Sequence, residues 1–367
     1  MRRFLMILFP TLLFVACDPT EEPKVDDFDR QPMLIHWADN IIIPGFQAFV
    51  AVTEDLETAA AAFNDTPDAS SLETLRTAWE TAYLEWQKTS IYDVGKAGEL
   101  DMLDFINTYP VEVEGIIENI ESGEYKFILP SQKDRQGFPA LDYMLYGVGD
   151  TDAAILEKYT SDAMAAEYRQ YIVDLAARIN SLADEVLADW EGGFRDSFVN
   201  NSGNNANASV DLVVNDFIFH YEKHLRAGKV GIPGGVFSGT PLSKNVEALY
   251  RGDFSRDLLN EALDFSQAFF NGEVNGKTGP SLKDYLDYLQ QQRAEEGTLL
   301  STQINNQFEA SREAIATLNP NFAEQVETDV ISLLAAYDQL QLNVPLMKVD
   351  MLQILCINVD YIDGDGD

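Results

Sequence analysis

Cysteine and histidine are scarce in this chain of 367 residues, with two of the first and three of the second. The cysteines, Cys17 and Cys356, lie at opposite ends, so no disulfide framework is available and core packing must hold the fold. Three histidines leave no room for a histidine-rich metal site. Positive charge is equally thin: 25 Lys and Arg face 61 Asp and Glu, a formal net charge of −36. A field of that sign repels nucleic acid and anionic lipid headgroups, so neither is an expected partner. Sustained strand-type alternation is scarce, which argues against extensive sheet. The apolar run from Phe4 to Val15 falls short of the about 20 residues that a bilayer-spanning helix needs.

That run fits an export signal instead, with Arg2 and Arg3 in front and small residues behind. Leu13-Phe14-Val15-Ala16-Cys17 resembles the bacterial lipobox. The expectation is a signal peptide over 1–16 and a lipid on Cys17, which would make the membrane a partner through that lipid. Residues 17–30 are acidic and carry Pro19 and Pro23, so they read as a flexible tether. Acids close behind the cysteine resemble the surface-export signals of Bacteroidota lipoproteins. An outer-membrane lipoprotein follows, on either the periplasmic or the external face.

Beyond the tether the periodicity is helical. Leu72, Leu75, Trp79, Ala82, Tyr83 and Trp86 recur at helical spacing behind a capping-box-like Ser70-Ser71-Leu72-Glu73. Tyr168 to Trp190 and Phe322 to Leu340 carry similar stripes. Rods of this kind must bury their stripes against one another, which predicts bundles. Pro44-Gly45 should kink the first helix. The polar stretch Asn200 to Asn207 divides the chain into 31–200 and 201–367. Gly228 to Pro241 and Asn271 to Pro280 read as loops.

Few residues announce chemistry. His220 and His224, one helical turn apart, can face a common ligand, but no third ligand is evident and a structural role is the simpler reading. Arg226, Lys229 and the Gly231–Gly239 stretch form a basic, glycine-rich segment that could hold an anion or simply connect bundles. Asp360, Asp363, Asp365 and Asp367 resemble part of a calcium loop without its closing Glu, so calcium there is a lesser expectation. The four tryptophans read as core, and Cys356, within an apolar run, as buried.

Several segments, in order, resemble the imelysin family of bacterial envelope proteins. They are Trp37 to Pro44, Leu75 to Trp79 with Trp86, Gly137 to Tyr143, Lys229 to Gly235, and Val344-Pro345-Leu346 with the acidic tail. The resemblance implies an all-α fold of two four-helix-bundle-like halves packed together, with a site where they meet. It also implies an envelope location and, for several members, a tie to iron uptake; others were described as insulin-cleaving peptidases. The family's Gly-x-His-x-x-Glu motif, half of a proposed metal site, is altered here. Gly137 remains, Pro139 takes the place of His, and Asp142 that of Glu. Proline offers no ligand atom, so zinc-type peptidase chemistry is in doubt and no catalytic residue is assigned. Pro139 also suits the first turn of a helix, where its missing N–H costs little.

The resulting expectation is a lipid-anchored binding protein. It would capture iron or an iron-containing, haem-like compound in the cleft and work with an envelope transport partner. The candidate ligand-binding residues are His36, Asp39, Trp79, Asp142, Tyr143, Arg226 and Lys229, with Asp142 also the candidate metal ligand. Hard ferric ions favour oxygen donors such as Asp39, Asp142 and Tyr143. Two alternatives remain open at this point: a metal-dependent endopeptidase, and a structural or interaction lipoprotein without a small ligand.

Overall fold

The computed structural model describes residues 26–293 and 297–361. The leader, Cys17, and the tail acids Asp363, Asp365 and Asp367 lie outside the described residues.

Helix α1 spans 31–65 in three stretches: Gln31–His36, a π-helical segment Trp37–Ile42, and Ile43–Asp65. The expected break at Pro44 is absorbed by that widened turn. The Ile43 N–H donates to the carbonyl of Ala38, five residues back, and the helix runs on to Asp65. Helix α2 is Ala69–Thr89. Its capping box forms slightly ahead of the expected Ser70-Ser71-Leu72-Glu73: Asp68 Oδ1 accepts the Ser71 N–H at 2.9 Å, and Ser71 Oγ accepts the Asp68 N–H at 3.1 Å. Shorter helices follow, α3 (Met102–Asn107), α4 (Val113–Ser122) and α5 (Gly137–Asp142), the last with Pro139 in its first turn. Helix α6 (Ala165–Asp189) returns along α1, which also packs against α2. The stripes of these rods meet in a core that includes Phe46, Phe49, Trp79, Trp86, Leu175, Ile179 and Leu182.

The second half is built from α7 (Ser209–Phe219), α8 (Ser255–Asn271), α9 (Leu282–Gln292), α10 (Leu300–Ile315) and α11 (Phe322–Pro345). Helix α7 does not stop at the glycines after 228. It continues as a π-helical stretch, His220–Gly231, and ends with Ile232–Gly234, so the expected loop begins later. The expected loop at 271–280 contains a small antiparallel hairpin, with Glu273–Val274 paired to Lys277–Thr278. Cys356 is exposed rather than buried: it caps a short helix, Leu352–Leu355, in a left-handed conformation (φ 56°).

The halves touch where α8 packs against α2, and the start of α1 crosses to the second half. Trp37 lies 5.2 Å from Phe269 of α8, ring centre to ring centre, and the His36 Nε2 is 3.0 Å from the carbonyl oxygen of Gly272. All four tryptophans are buried.

Gly137 has a φ of +76°, and a Cβ there would lie 2.1 Å from the Ile106 carbonyl oxygen. The first position of the motif is thus fixed by backbone contact between α3 and α5. Gly137→Ala is expected to destabilise the fold by about 2–4 kcal/mol. A urea midpoint indistinguishable from that of the unmodified protein would contradict this.

Candidate functional site

Between the halves lies a cavity of about 250 Å³. The end of α2 contributes Trp86 and Gln87, with Ser90 just beyond it. Helix α3 and the coil behind it contribute Asp104, Asn107 and Tyr109. The π-helical part of α7 contributes His220, Lys223, His224, Gly228 and Lys229. A π-helical stretch this long is unusual, because such turns mostly occur singly and often at functional sites. Gly228 lets the coil come close: a Cβ there would stand 3.3 Å from the Tyr109 hydroxyl.

Burial governs the charges of this wall. His220 is buried, its Nε2 lies 2.9 Å from Ser90 Oγ, and its Nδ1 has no hydrogen-bond partner among the described residues. Burial holds its imidazole well below the usual histidine range, aided by His224 and Lys229. Burial lowers His224 to about 4 against the opposing pull of Asp104, so both rings are neutral at pH 7. Lys229 is buried and forms an ion pair with buried Glu247. Burial pulls its ammonium down while Glu247 opposes that shift. The Glu247 Oε1 also accepts from Asn107 Nδ2 at 2.7 Å and Gln87 Nε2 at 3.3 Å. Behind Lys223 lies Glu222, fully buried, 3.6 Å from the Lys223 ammonium and bonded to Lys348 Nζ at 3.0 Å and the Tyr361 hydroxyl at 3.0 Å.

Tyr109 also lines a second cavity of about 220 Å³, together with Pro139, Asp142, Lys244 and Tyr250. This is where the altered motif sits. Burial raises Asp142 to about 7, opposed by two backbone hydrogen bonds and the charge of Arg251. Its Oδ2 accepts the Tyr250 N–H at 2.9 Å and its Oδ1 the Arg251 N–H at 2.8 Å. Both carboxylate oxygens therefore tie the 250–251 backbone to α5. With a pyrrolidine ring at 139 and Asp142 so engaged, the motif does not fit a metal centre of the peptidase kind. Among the described residues no group of three or more His, Cys, Asp or Glu is arranged to hold a metal.

Of the seven sequence candidates, Lys229 lines the first cavity and Asp142 the second. The others make contacts elsewhere. His36 bonds Gly272 and Asn40. Asp39 pairs with Arg195 at 2.6 Å, and that hydrogen bond holds its carboxyl below the usual range. Trp79 Nε1 donates to the Phe138 carbonyl at 3.1 Å. The Tyr143 ring packs 5.2 Å from that of Tyr250. Arg226 donates to the Tyr337 hydroxyl at 2.7 Å and to Gln341. Sequence reasoning passed over Asp104, Asn107, Tyr109 and Lys223, which carry no spacing signal. His220 and His224 did carry one, and both reach the cavity.

One turn ahead of His220 on α7, Asp216 Oδ2 accepts the Asp93 backbone N–H at 3.0 Å. Burial, then the charge of Asp93, raises Asp216 to about 8. Burial, then Asp101 and Asp104, raises Asp93 to about 6. A carboxyl with a raised folded pKa stabilises the fold fully at pH values below its unfolded pKa and loses that contribution as pH climbs through the folded value. Lowering the pH from about 9 to about 5 should therefore stabilise the unmodified protein relative to Asp216→Asn. Parallel dependence of the two unfolding free energies on pH would contradict the assignment.

The profile of the Imelysin family matches residues 42–349. Iron-regulated protein A of Synechococcus elongatus is 22% identical over 329 residues, covering 87% of this chain and 82% of that protein. The crystal structure of an imelysin-like protein from Psychrobacter arcticum superposes with a TM-score of 0.68 at 15% identity, covering 90% of this chain and 97% of that one. A Parabacteroides distasonis protein described as an iron-regulated protein A precursor gives 0.70 at 15% identity, covering 88% and 94%. At that identity the solved structures establish shared architecture, and the profile match over most of the chain establishes kinship: the protein belongs to the imelysin family.

Proposed function

We propose that this protein is a lipid-anchored envelope component that captures iron or an iron compound in the cavity between its halves and works with an envelope transport partner. The observation that carries the reading is the convergence of His220, His224, Lys223, Lys229 and Tyr109 on one cavity. Polar groups from both halves meeting in a concave site are the usual mark of a small-ligand site. The names of the Synechococcus and Parabacteroides relatives support iron as the cargo. The anchor rests on the lipobox-like sequence at Cys17, and no described helix is long and apolar enough to cross a membrane. An outer-membrane address rests on the acids behind Cys17.

The cavity beside the altered motif is assigned a supporting part. Asp142 holds the 250–251 backbone, and Tyr109 joins the two spaces. Endopeptidase chemistry of the metal-dependent type is not assigned, because Pro139 supplies no donor where an imidazole would be needed.

The test is equilibrium dialysis of the purified protein against ferric citrate, read by metal analysis and by tryptophan emission. Retained iron is expected, and Tyr109→Phe should weaken retention about fivefold by removing a single hydroxyl. Retention of no iron from any source, or a Tyr109→Phe variant that binds as well as the parent, would count against this site. With zinc or iron added, the protein should not cleave insulin; zinc-dependent cleavage would restore the peptidase reading.

A further inference from the structure

His220 and His224 line the cavity from one π-helical stretch of α7, with 5.8 Å between their ring centres. A metal bonded at about 2.1 Å to a ring nitrogen stands roughly 3.2 Å from that ring's centre, so two rings sharing one ion lie up to roughly 6.4 Å apart. The pair is spaced as two imidazoles on one ion are. Ser90 decides which nitrogen of His220 is free. Its hydroxyl donates its one proton to the Gln87 carbonyl at 3.3 Å, so its oxygen accepts from the Nε2–H of His220 at 2.9 Å. The neutral ring then carries its lone pair on Nδ1, the nitrogen without a partner among the described residues. His220 is 2% exposed, so bulk water does not complete it. A ring N–H held by an outer partner while the other nitrogen stays open is how metal-binding histidines are oriented. The His224 ring makes no hydrogen bond to another described residue. The ammonium groups of the same wall do not act unopposed on a cation: Lys229 is paired with Glu247, Lys223 stands 3.6 Å from Glu222, and Asp104 adds a carboxylate.

We infer that Nδ1 of His220 and the ring of His224 form a two-imidazole site for a divalent transition-metal ion, with Ser90 orienting the first ring. Imidazole suits zinc, copper, nickel and ferrous iron, whereas magnesium and calcium take oxygen ligands. No third His, Cys, Asp or Glu completes the set among the described residues. Water or a carrier's own ligands fill the remaining positions within the cavity of about 250 Å³, an arrangement suited to an ion that is bound and released. The inference deepens the iron reading above by naming the donors. It rests on that reading only in taking ferrous iron as the natural ion.

The experiment uses the purified protein without a histidine tag, in excess magnesium to occupy oxygen sites on the acidic surface. Zinc is titrated while the imidazole resonances are followed by NMR. Those of His220 and His224 are expected to shift together and those of His36 to stay in place, a readout that needs no variant. Calorimetry with zinc and, anaerobically, with ferrous ion should give one site, with zinc the tighter. His224→Gln should weaken zinc binding at least about tenfold, since loss of even an outer-shell partner costs about 10–100-fold. Its thermal unfolding is measured alongside. Zinc binding that leaves both resonances in place, or that is equally tight in His224→Gln, would overturn the site. So would a failure of zinc and ferrous ion to bind over magnesium; ferric citrate still retained in dialysis would then leave iron capture standing without the imidazoles. Zinc held by the pair with ferrous ion excluded would keep the site and remove iron as its ion.

Discussion

The ion pair between Lys229 and Glu247 sets the terms for the rest of the molecule. Both groups are almost entirely removed from solvent, 3% and 2% exposed, in the region where the halves meet. Taking two charges out of water costs several kcal/mol per ion, and their attraction offsets this only when further hydrogen bonds complete the shell. Here that shell is drawn from the other half: Gln87 on α2 and Asn107 on α3 both donate to Glu247. The need to satisfy one carboxylate therefore fixes three segments of chain around the cavity.

The same solution recurs at two other buried carboxylates. Asp142 is satisfied by backbone N–H groups of the second half, and Glu222 by Lys348 and Tyr361 near the end of the chain. In each case the donors come from more than a hundred residues away. A bundle with so few cationic side chains spends several of them on buried acids at this junction. The wide turns of α7 serve the same end, since they hold Glu222, His224 and Lys229 on a rod that faces both the cavity and its supporting acids.

Much of the fold was legible in the sequence because amphipathic period is a local property. The stripe from Leu72 to Trp86 and that from Tyr168 to Trp190 became buried faces of long helices. The site was legible only in part. Asp142 could be picked from its motif position, but its backbone partners at 250 and 251 are set by tertiary contact. Asp39 looked like an available oxygen donor, yet Arg195, distant in sequence, pairs with it. Tyr109 lies in coil, where no periodicity draws notice, and π-helical segments leave no pattern that distinguishes them from ordinary helix. The continuation of α7 past Gly228 was missed for that reason: glycine and proline there read as punctuation, whereas packing against α11 keeps the helix going to Gly234.

The position of Tyr109 has one more consequence. A single aromatic side chain forms part of the wall of both chambers. The chain beside it also runs between the chambers, since Pro110 and Lys244 line the second while Asn245 lines the first. Any change of residue at 109 would therefore reshape both chambers at once.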